Sequence, residues 1–169
     1  MKILVTGGLG FIGSHTVVEL QNKGFEVVII DDLSNSTEDV LEGIVSITDK
    51  RPLFEKLDLK EKSKVQDFFK RHQDIGGVIH FAASKAVGES VDKPLLYYEN
   101  NLNTLVYLLQ ELSQKNRVGF IFSSSCTVYG QADKLPITED APIKDAESPY
   151  GNTKQIGEEI IRDTCRVNP

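Results

Sequence analysis

The chain is poor in the residues that build metal and disulfide scaffolds. Its two cysteines, Cys126 and Cys165, stand far apart and in no CxxC pair. That excludes a disulfide framework and fits a reducing, cytoplasmic compartment. Three histidines, His15, His72 and His80, show no ligand spacing, so no metal site is expected. Basic charge is also in deficit: 19 Lys and Arg stand against 25 Asp and Glu, a net charge of -6. Non-specific nucleic-acid binding needs a basic face to displace counterions, so no nucleic-acid partner is expected. Long apolar runs are missing. The opening Met1 to Val5 is too short for a signal-peptide core, and no stretch approaches the roughly 20 residues of a membrane span. Without a secretory signal, the sequon Asn35-Ser36-Thr37 reads as chance.

What the chain does have is alternation: short β-branched runs followed by longer helical patterns. Strands are expected at 2–6, 26–31, 53–57, 77–81 and 118–123. Helices are expected at 11–23, 36–48, 61–72, 94–115 and 149–166. Ser36 and Asp39 are spaced like a capping box for the second helix. The pattern implies an α/β fold, a doubly wound parallel sheet of order 3-2-1-4-5 with helices on both faces. A complete sheet of this kind usually has at least one more strand, so the chain is expected to be a truncated form.

Gly7, Gly10 and Gly13 follow the first strand directly and open the first helix. Glycine at such a turn permits positive φ and close approach of a pyrophosphate. The helix N-terminus, through Phe11 and Ile12, offers unpaired N–H groups and partial positive charge. This strand–turn–helix setting predicts a dinucleotide site of the Rossmann type. Asp31 ends the second strand, where its carboxylate can accept both ribose hydroxyls and repel a 2′-phosphate. No arginine follows nearby, which favours NAD over NADP. Asp58 and Leu59, after the third strand, stand where the adenine amino group can be met.

Tyr150 and Lys154 form Tyr-x-x-x-Lys, a spacing that puts both on one helical face. A phenol normally titrates near 10, and a neighbouring ammonium favours its ionised form. The pair therefore reads as a general base and its electrostatic helper. Ser123-Ser124-Ser125 leaves the fifth strand at its C-terminal end, where parallel sheets place their ligands. A serine there completes a Ser–Tyr–Lys constellation.

Together these residues resemble the extended short-chain dehydrogenase/reductase family, over essentially the whole chain. Within it, TGGLGFIGSHT (6–16), HFAASKAVGESVDKP (80–94), YYENN (97–101) and FSSSCTVYG (122–130) are similar to the nucleotide-sugar 4-epimerases, those acting on UDP-glucose in particular. The 4,6-dehydratases of this family place an Asp-Glu pair just after the strand-five serine or threonine. This chain reads Cys126-Thr127 there, so dehydration is unsupported. The resemblance implies interconversion of UDP-glucose and UDP-galactose by transient oxidation at the sugar C4, a step of galactose metabolism. Tyr150 would take the 4-hydroxyl proton, Ser125 would bond the 4-oxygen, Thr127 would assist, and Lys154 would hold the nicotinamide ribose. Cofactor contacts would come from Asp31, Asp32, Asn35, Ser36, Asp58, Phe81, Ala82, Ala83, Lys85, Asn100 and Ser123.

Some positions depart from the family pattern. Ala83-Ser84 replaces a common Gly-Leu, Asp32 an asparagine, Cys126 an alanine and Thr104 a glycine. The family also runs to roughly twice this length. Residues 1–169 are thus expected to be one NAD-binding domain bearing the Ser/Tyr/Lys set, without the C-terminal part that binds the UDP-sugar and sets sugar specificity. A homodimer through helices at 95–115 and 150–165 is expected, because Leu95, Leu102, Leu105, Leu108, Leu109 and Leu112 exceed one buried stripe. The competing readings are another epimerase of the family, acting on a uronate or dTDP sugar, and a catalytically silent NAD-binding domain.

Overall fold

Two apolar runs set the centre of the sheet. Leu4 and Val5 in β1 (Lys2–Thr6) and Val28 and Ile29 in β2 (Glu26–Asp31) are fully buried. Strands buried on both faces carry continuous rather than alternating hydrophobic runs, as these do. In the computed structural model, which describes residues 1–115 and 117–167, β1 pairs in parallel with β2 and with β4 (Ile75–His80). β3 (Leu53–Lys56) flanks β2 and β5 (Gly119–Phe122) flanks β4, giving the expected order β3-β2-β1-β4-β5. The helices are α1 (Phe11–Asn22), α2 (Asp39–Thr48), α3 (Lys62–Arg71), α4 (Val87–Asp92), α5 (Pro94–Leu112) and α6 (Pro149–Val167). A 3₁₀ turn spans Cys126–Tyr129.

The chain divides into two compact units. The first joins Met1–Ala82 to Gln110–Ser123 and holds the whole sheet. Its core gathers Ile3, Val5, Val17, Val27, Ile29, Leu41 and Ile44. The second joins Ala83–Leu109 to Ser124–Pro169 and holds α4, most of α5, the 3₁₀ turn and α6. Among the described residues no helix is long and apolar enough to cross a membrane.

The expected strands and helices form, some with unchanged ends and none with an end displaced by more than three residues. Three readings need correction. First, α2 starts at Asp39, with Glu38 at its cap and no side-chain cap bond. Ser36 stands three residues before that start, too far back to cap it, and its hydroxyl instead donates to Asp31 Oδ1 at 2.9 Å. Second, α4 and the 3₁₀ turn were not expected; at six and four residues they are too short to display a helical period. Third, the leucines of α5 are mostly spent inside the chain. Leu105, Leu108, Leu109 and Leu112 are buried, Leu102 is half-buried, and Leu95 and Leu96 at the helix start, 80% and 46% exposed, face outward.

The glycine turn is tight. Gly7 has φ +66°, and a Cβ there would lie 2.8 Å from the Ala82 nitrogen. A Cβ on Gly13 would lie 2.2 Å from the Gly7 carbonyl oxygen, so α1 can sit this close to β1 only with glycine at that point. Gly43, on the exposed face of α2, has nothing within 4 Å of the same position. Gly13→Ala should therefore destabilise the chain by about 1–3 kcal/mol through overpacking. Gly43→Ala should stabilise it by about 0.4–1 kcal/mol by restricting the unfolded chain. Urea unfolding of both variants checks the pair; equal effects would contradict this reading of the turn.

Candidate active site

In the first unit, β1 ends at Thr6 and the turn closes on itself. The Gly7 amide donates to the Ile30 carbonyl at 2.8 Å, and the Gly10 amide to Gly7 at 3.1 Å. Gly10 caps α1 with extended backbone and no side-chain cap bond, so first-turn N–H groups stay available to an anion. Phe11 and Ile12, at the helix start, are 79% and 62% exposed. Asp31, 8% exposed, is anchored by both oxygens. Oδ2 accepts the Leu9 amide at 3.0 Å, while Oδ1 accepts the Leu33 amide at 3.0 Å and the Ser36 hydroxyl at 2.9 Å. A carboxylate has about four acceptor positions, so these three bonds leave one on Oδ2. The carboxylate thus couples the glycine turn to the end of β2.

The neighbouring candidates of this unit are ordered locally. Asp32 accepts the Ser34 amide and hydroxyl at 2.9 and 2.6 Å, and Asn35 is exposed. Asp58 accepts the Lys60 amide at 2.9 Å, and the Leu59 side chain is buried. Phe81 and Ala82 continue from β4: the Phe81 amide donates to the Thr6 carbonyl at 3.0 Å, and the Ala82 amide to Thr6 Oγ1 at 3.4 Å. The Ser123 amide donates to the His80 carbonyl at 3.1 Å, which extends the β4–β5 ladder by one step. Sequence reasoning missed the buried pair of Thr6 Oγ1 and His80 Nδ1, 2.7 Å apart, which fixes the residue just before the glycine turn.

The second unit holds the other candidates. Ser125 Oγ accepts the Thr127 amide at 3.3 Å and the Thr127 hydroxyl at 3.0 Å. A hydroxyl oxygen has two lone pairs, so both are engaged and the Ser125 proton is left to donate. Ser148 accepts the Gly151 amide at 3.1 Å and so caps α6, which carries Tyr150 and Lys154 one turn apart. Lys154 Nζ lies 5.9 Å from the centre of the Tyr150 ring, within cation–π range. Lys154 is only 4% exposed, and that burial pushes its ammonium down to about 8 from the ordinary 10.5.

Around these, polar side chains fix the segment from Ala83 onward. The Ser84 amide donates to Asn101 Oδ1 at 2.8 Å, Asn100 Nδ2 donates to Ser84 Oγ at 3.0 Å, and Asn101 Nδ2 reaches Thr153 at 3.0 Å. The serine that departs from the family pattern is thus held by the two asparagines. Lys85 is exposed. The segment after it is pinned by fully buried Tyr97, whose hydroxyl accepts the Ala86 amide at 3.1 Å and donates to Glu89 at 2.9 Å. Burial, then the Glu89 bond, pushes the Tyr97 phenol up; the Tyr97 bond, then the Lys93 bond, holds the Glu89 carboxyl down. Nothing in the sequence pattern announced this latch. Among the described residues no cluster of His, Cys, Asp or Glu could hold a metal ion.

The depressed Lys154 ammonium makes a pH prediction. Between about 8 and 10.5 the unfolded chain keeps a proton on this lysine that the folded chain has lost. Stability then rises with pH across that window, and below it the contribution is constant. Lys154→Met removes the titration. The difference in unfolding free energy between the chain and this variant should therefore shift in favour of the unmutated chain from pH 8 to pH 10.5. A difference that stays flat would contradict the buried ammonium.

Comparison with known proteins places this arrangement. The UDP-glucose 4-epimerase of Haemophilus influenzae is 48% identical over 169 residues, matching 100% of this chain and 50% of its own length. The crystal structure of UDP-glucose 4-epimerase from Bifidobacterium longum in complex with NAD+ and UDP superposes with a TM-score of 0.95 at 43% identity, covering 100% of this chain and 50% of that one. The UDP-Glc/GlcNAc 4-epimerase from Campylobacter jejuni gives a TM-score of 0.92 at 34% identity, covering 99% of this chain and 50% of that one. The chain thus spans about half the length of the relatives it matches. The family model described as GDP-mannose 4,6 dehydratase matches residues 4–167, so the chain belongs to that family.

Proposed function

We propose that this chain carries the cofactor-binding and proton-transfer machinery of a UDP-glucose 4-epimerase, which interconverts UDP-glucose and UDP-galactose. The observation that carries the reading is the second unit's chemistry: a serine whose oxygen accepts two hydrogen bonds from Thr127, and a Tyr/Lys pair one helix turn apart. The relatives named UDP-glucose 4-epimerase support it, as does the NAD+ and UDP complex of the Bifidobacterium longum enzyme. A dehydratase reading has less support, because the positions after Ser125 are Cys126 and Thr127 and offer no carboxylate.

The residues present fit NAD. Gly7, Gly10 and Gly13 keep the turn tight and α1 close against it, and the N-terminus of α1, with the Phe11 and Ile12 backbone, would take the pyrophosphate. Asp31 offers a ribose hydroxyl its remaining acceptor position, and a second hydroxyl can exchange with that of Ser36. Asp32, Asn35, Ser36, Asp58 and Leu59 serve the adenosine end, and Phe81, Ala82, Ala83, Lys85, Asn100 and Ser123 the nicotinamide end. Bound NAD would supply the acceptor, and then the donor, of the hydride at sugar C4. Ser125 hydrogen-bonds the 4-oxygen and keeps its own proton, and the 4-keto sugar turns over between the two hydride steps. Tyr150 takes the proton of the 4-hydroxyl as the bond is oxidised and returns it to the new 4-hydroxyl on the opposite face. Lys154, charged at neutral pH, favours the negative charge that Tyr150 bears in that transfer and binds the nicotinamide ribose.

The same reading includes a two-fold dimer through the helices at 95–115 and 150–165 in a cytosolic protein. Its support is the exposed Leu95 at the start of α5. Sedimentation equilibrium should report twice the 18.8 kDa of the chain; a monomer at high concentration would contradict it for these 169 residues. The activity itself is tested by interconversion of UDP-glucose and UDP-galactose with the full reading frame that encodes this chain. Tyr150→Phe should lower kcat by on the order of 10²- to 10⁴-fold while NAD still binds. The 169 residues alone should not turn over, since positioning of the sugar contributes roughly 7–11 kcal/mol to such a reaction. Unchanged turnover by Tyr150→Phe would remove the catalytic assignment.

A further inference from the structure

The helix that carries Tyr150 and Lys154 presents a second row beside them. Gly151, Gln155 and Glu158 follow at i, i+4 and i+7, the spacing of a single helical stripe. Each member of that row meets the turn that carries Ser125. At Gly151 a Cβ would stand 3.2 Å from Thr127 Cβ and 3.3 Å from the Thr127 carbonyl, so the helix start rests directly on the turn. Gln155 Nε2 donates to the Val128 carbonyl at 2.8 Å and to the Lys144 carbonyl at 2.5 Å. The Ser124 hydroxyl donates to Glu158 Oε1 in a short, charge-assisted hydrogen bond. Ser125 therefore lies between two grips, Ser124 held by Glu158 on one side and Val128 held by Gln155 on the other. Both grips come from the helix that supplies the base.

We infer that Glu158 is a positioning residue: through Ser124 it fixes the serine turn to α6 and so sets where the Ser125 hydroxyl stands relative to Tyr150. The inference rests on the epimerase reading for its kinetic consequence but not for its mechanical one. Glu158 touches neither sugar nor cofactor in this account. Its carboxylate is matched to a hydroxyl donor, so an amide oxygen at the same place can accept the same bond, whereas a methyl group cannot. Loss of the bond leaves Gly7 to Gly13, Asp31, Tyr150 and Lys154 in place and frees only the first residues of the turn. Because small misplacement of a reacting group is costly, kcat should suffer and ligand affinity should not.

The test uses Glu158→Ala, Glu158→Gln, Ser124→Ala and the double alanine variant in the full reading frame, with two measurements on each. Steady-state kinetics with UDP-galactose should show kcat roughly 10- to 100-fold lower for either single alanine variant, with KM and NAD affinity within about threefold. The double variant should be no worse than the singles, because both remove one bond, and Glu158→Gln should keep kcat close to the unmutated value. Amide hydrogen exchange on the 169-residue chain should speed up at Thr127 and Val128 in the alanine variants and stay unchanged in β1 and β2. Faster exchange without a loss of kcat, or a KM effect alone, overturns the positioning role, as does a Gln variant as slow as Ala. Should Glu158→Ala fail to fold, Ser124→Ala breaks the same bond from the turn and decides the matter. Absence of turnover in the unmutated protein overturns the epimerase reading instead; exchange then decides the clamp, and unchanged rates at Thr127 and Val128 overturn it.

Discussion

The Asp31 carboxylate takes hydrogen bonds from the amides of Leu9 and Leu33 and from the hydroxyl of Ser36. One side chain thereby fixes the middle of the glycine turn, the exit of β2 and the approach to α2. A buried carboxylate is tolerable only with such partners, since an unpaired one would carry its full desolvation cost. The constraint runs in the other direction too. The Leu9 amide can meet Asp31 only because Gly7 takes φ +66° and Gly13 lets α1 close over the turn. The parallel sheet sets the distance between β1 and β2, the carboxylate bridges it, and the loop that results presents its amides at a helix N-terminus.

In the second unit α6 has the corresponding place. Its capped first turn sets Tyr150, its next turn buries Lys154, and its neighbouring row meets the 3₁₀ turn after Ser125. Burial of Lys154 has a chemical consequence. Desolvation depresses the ammonium yet leaves it charged at neutral pH, so a positive charge is available beside Tyr150 in a site of low polarity, where it acts more strongly than in water. The Thr127 contacts do similar work for Ser125 by occupying both lone pairs and freeing the proton.

Much of this was legible in the sequence, and for a physical reason. Strands buried on both faces must be continuous apolar runs, so β1 and β2 stood out, and alternation with helices dictated a parallel sheet in the observed order. Glycine spacing after a strand and a carboxylate after the next one are local signals of the same kind. Contacts that depend on what a distant loop does were not legible. Ser36 looked like a helix cap, but α2 begins only at Asp39 and the Ser36 hydroxyl donates to the Asp31 carboxylate, five residues before it. The leucines of α5 looked like a surplus face, yet Leu105 and Leu108 are fully buried within the chain. The contacts of Glu158 and Gln155 could not be read from the sequence, because nothing in their spacing tells what the turn at Cys126–Tyr129 offers them. The latch of Tyr97 and Glu89 escaped notice for the same reason.

The central claim is that the Asp31-anchored glycine turn is an NAD site, and a direct titration of the chain with both cofactors tests it most sharply. NAD should bind more tightly than NADP, because a carboxylate at the end of the second strand accepts ribose hydroxyls and would repel a 2′-phosphate. Asp31→Ala should narrow the gap, by weakening NAD and removing the repulsion of NADP. Equal affinity of the unmutated chain for the two cofactors, or a preference for NADP, would contradict the account.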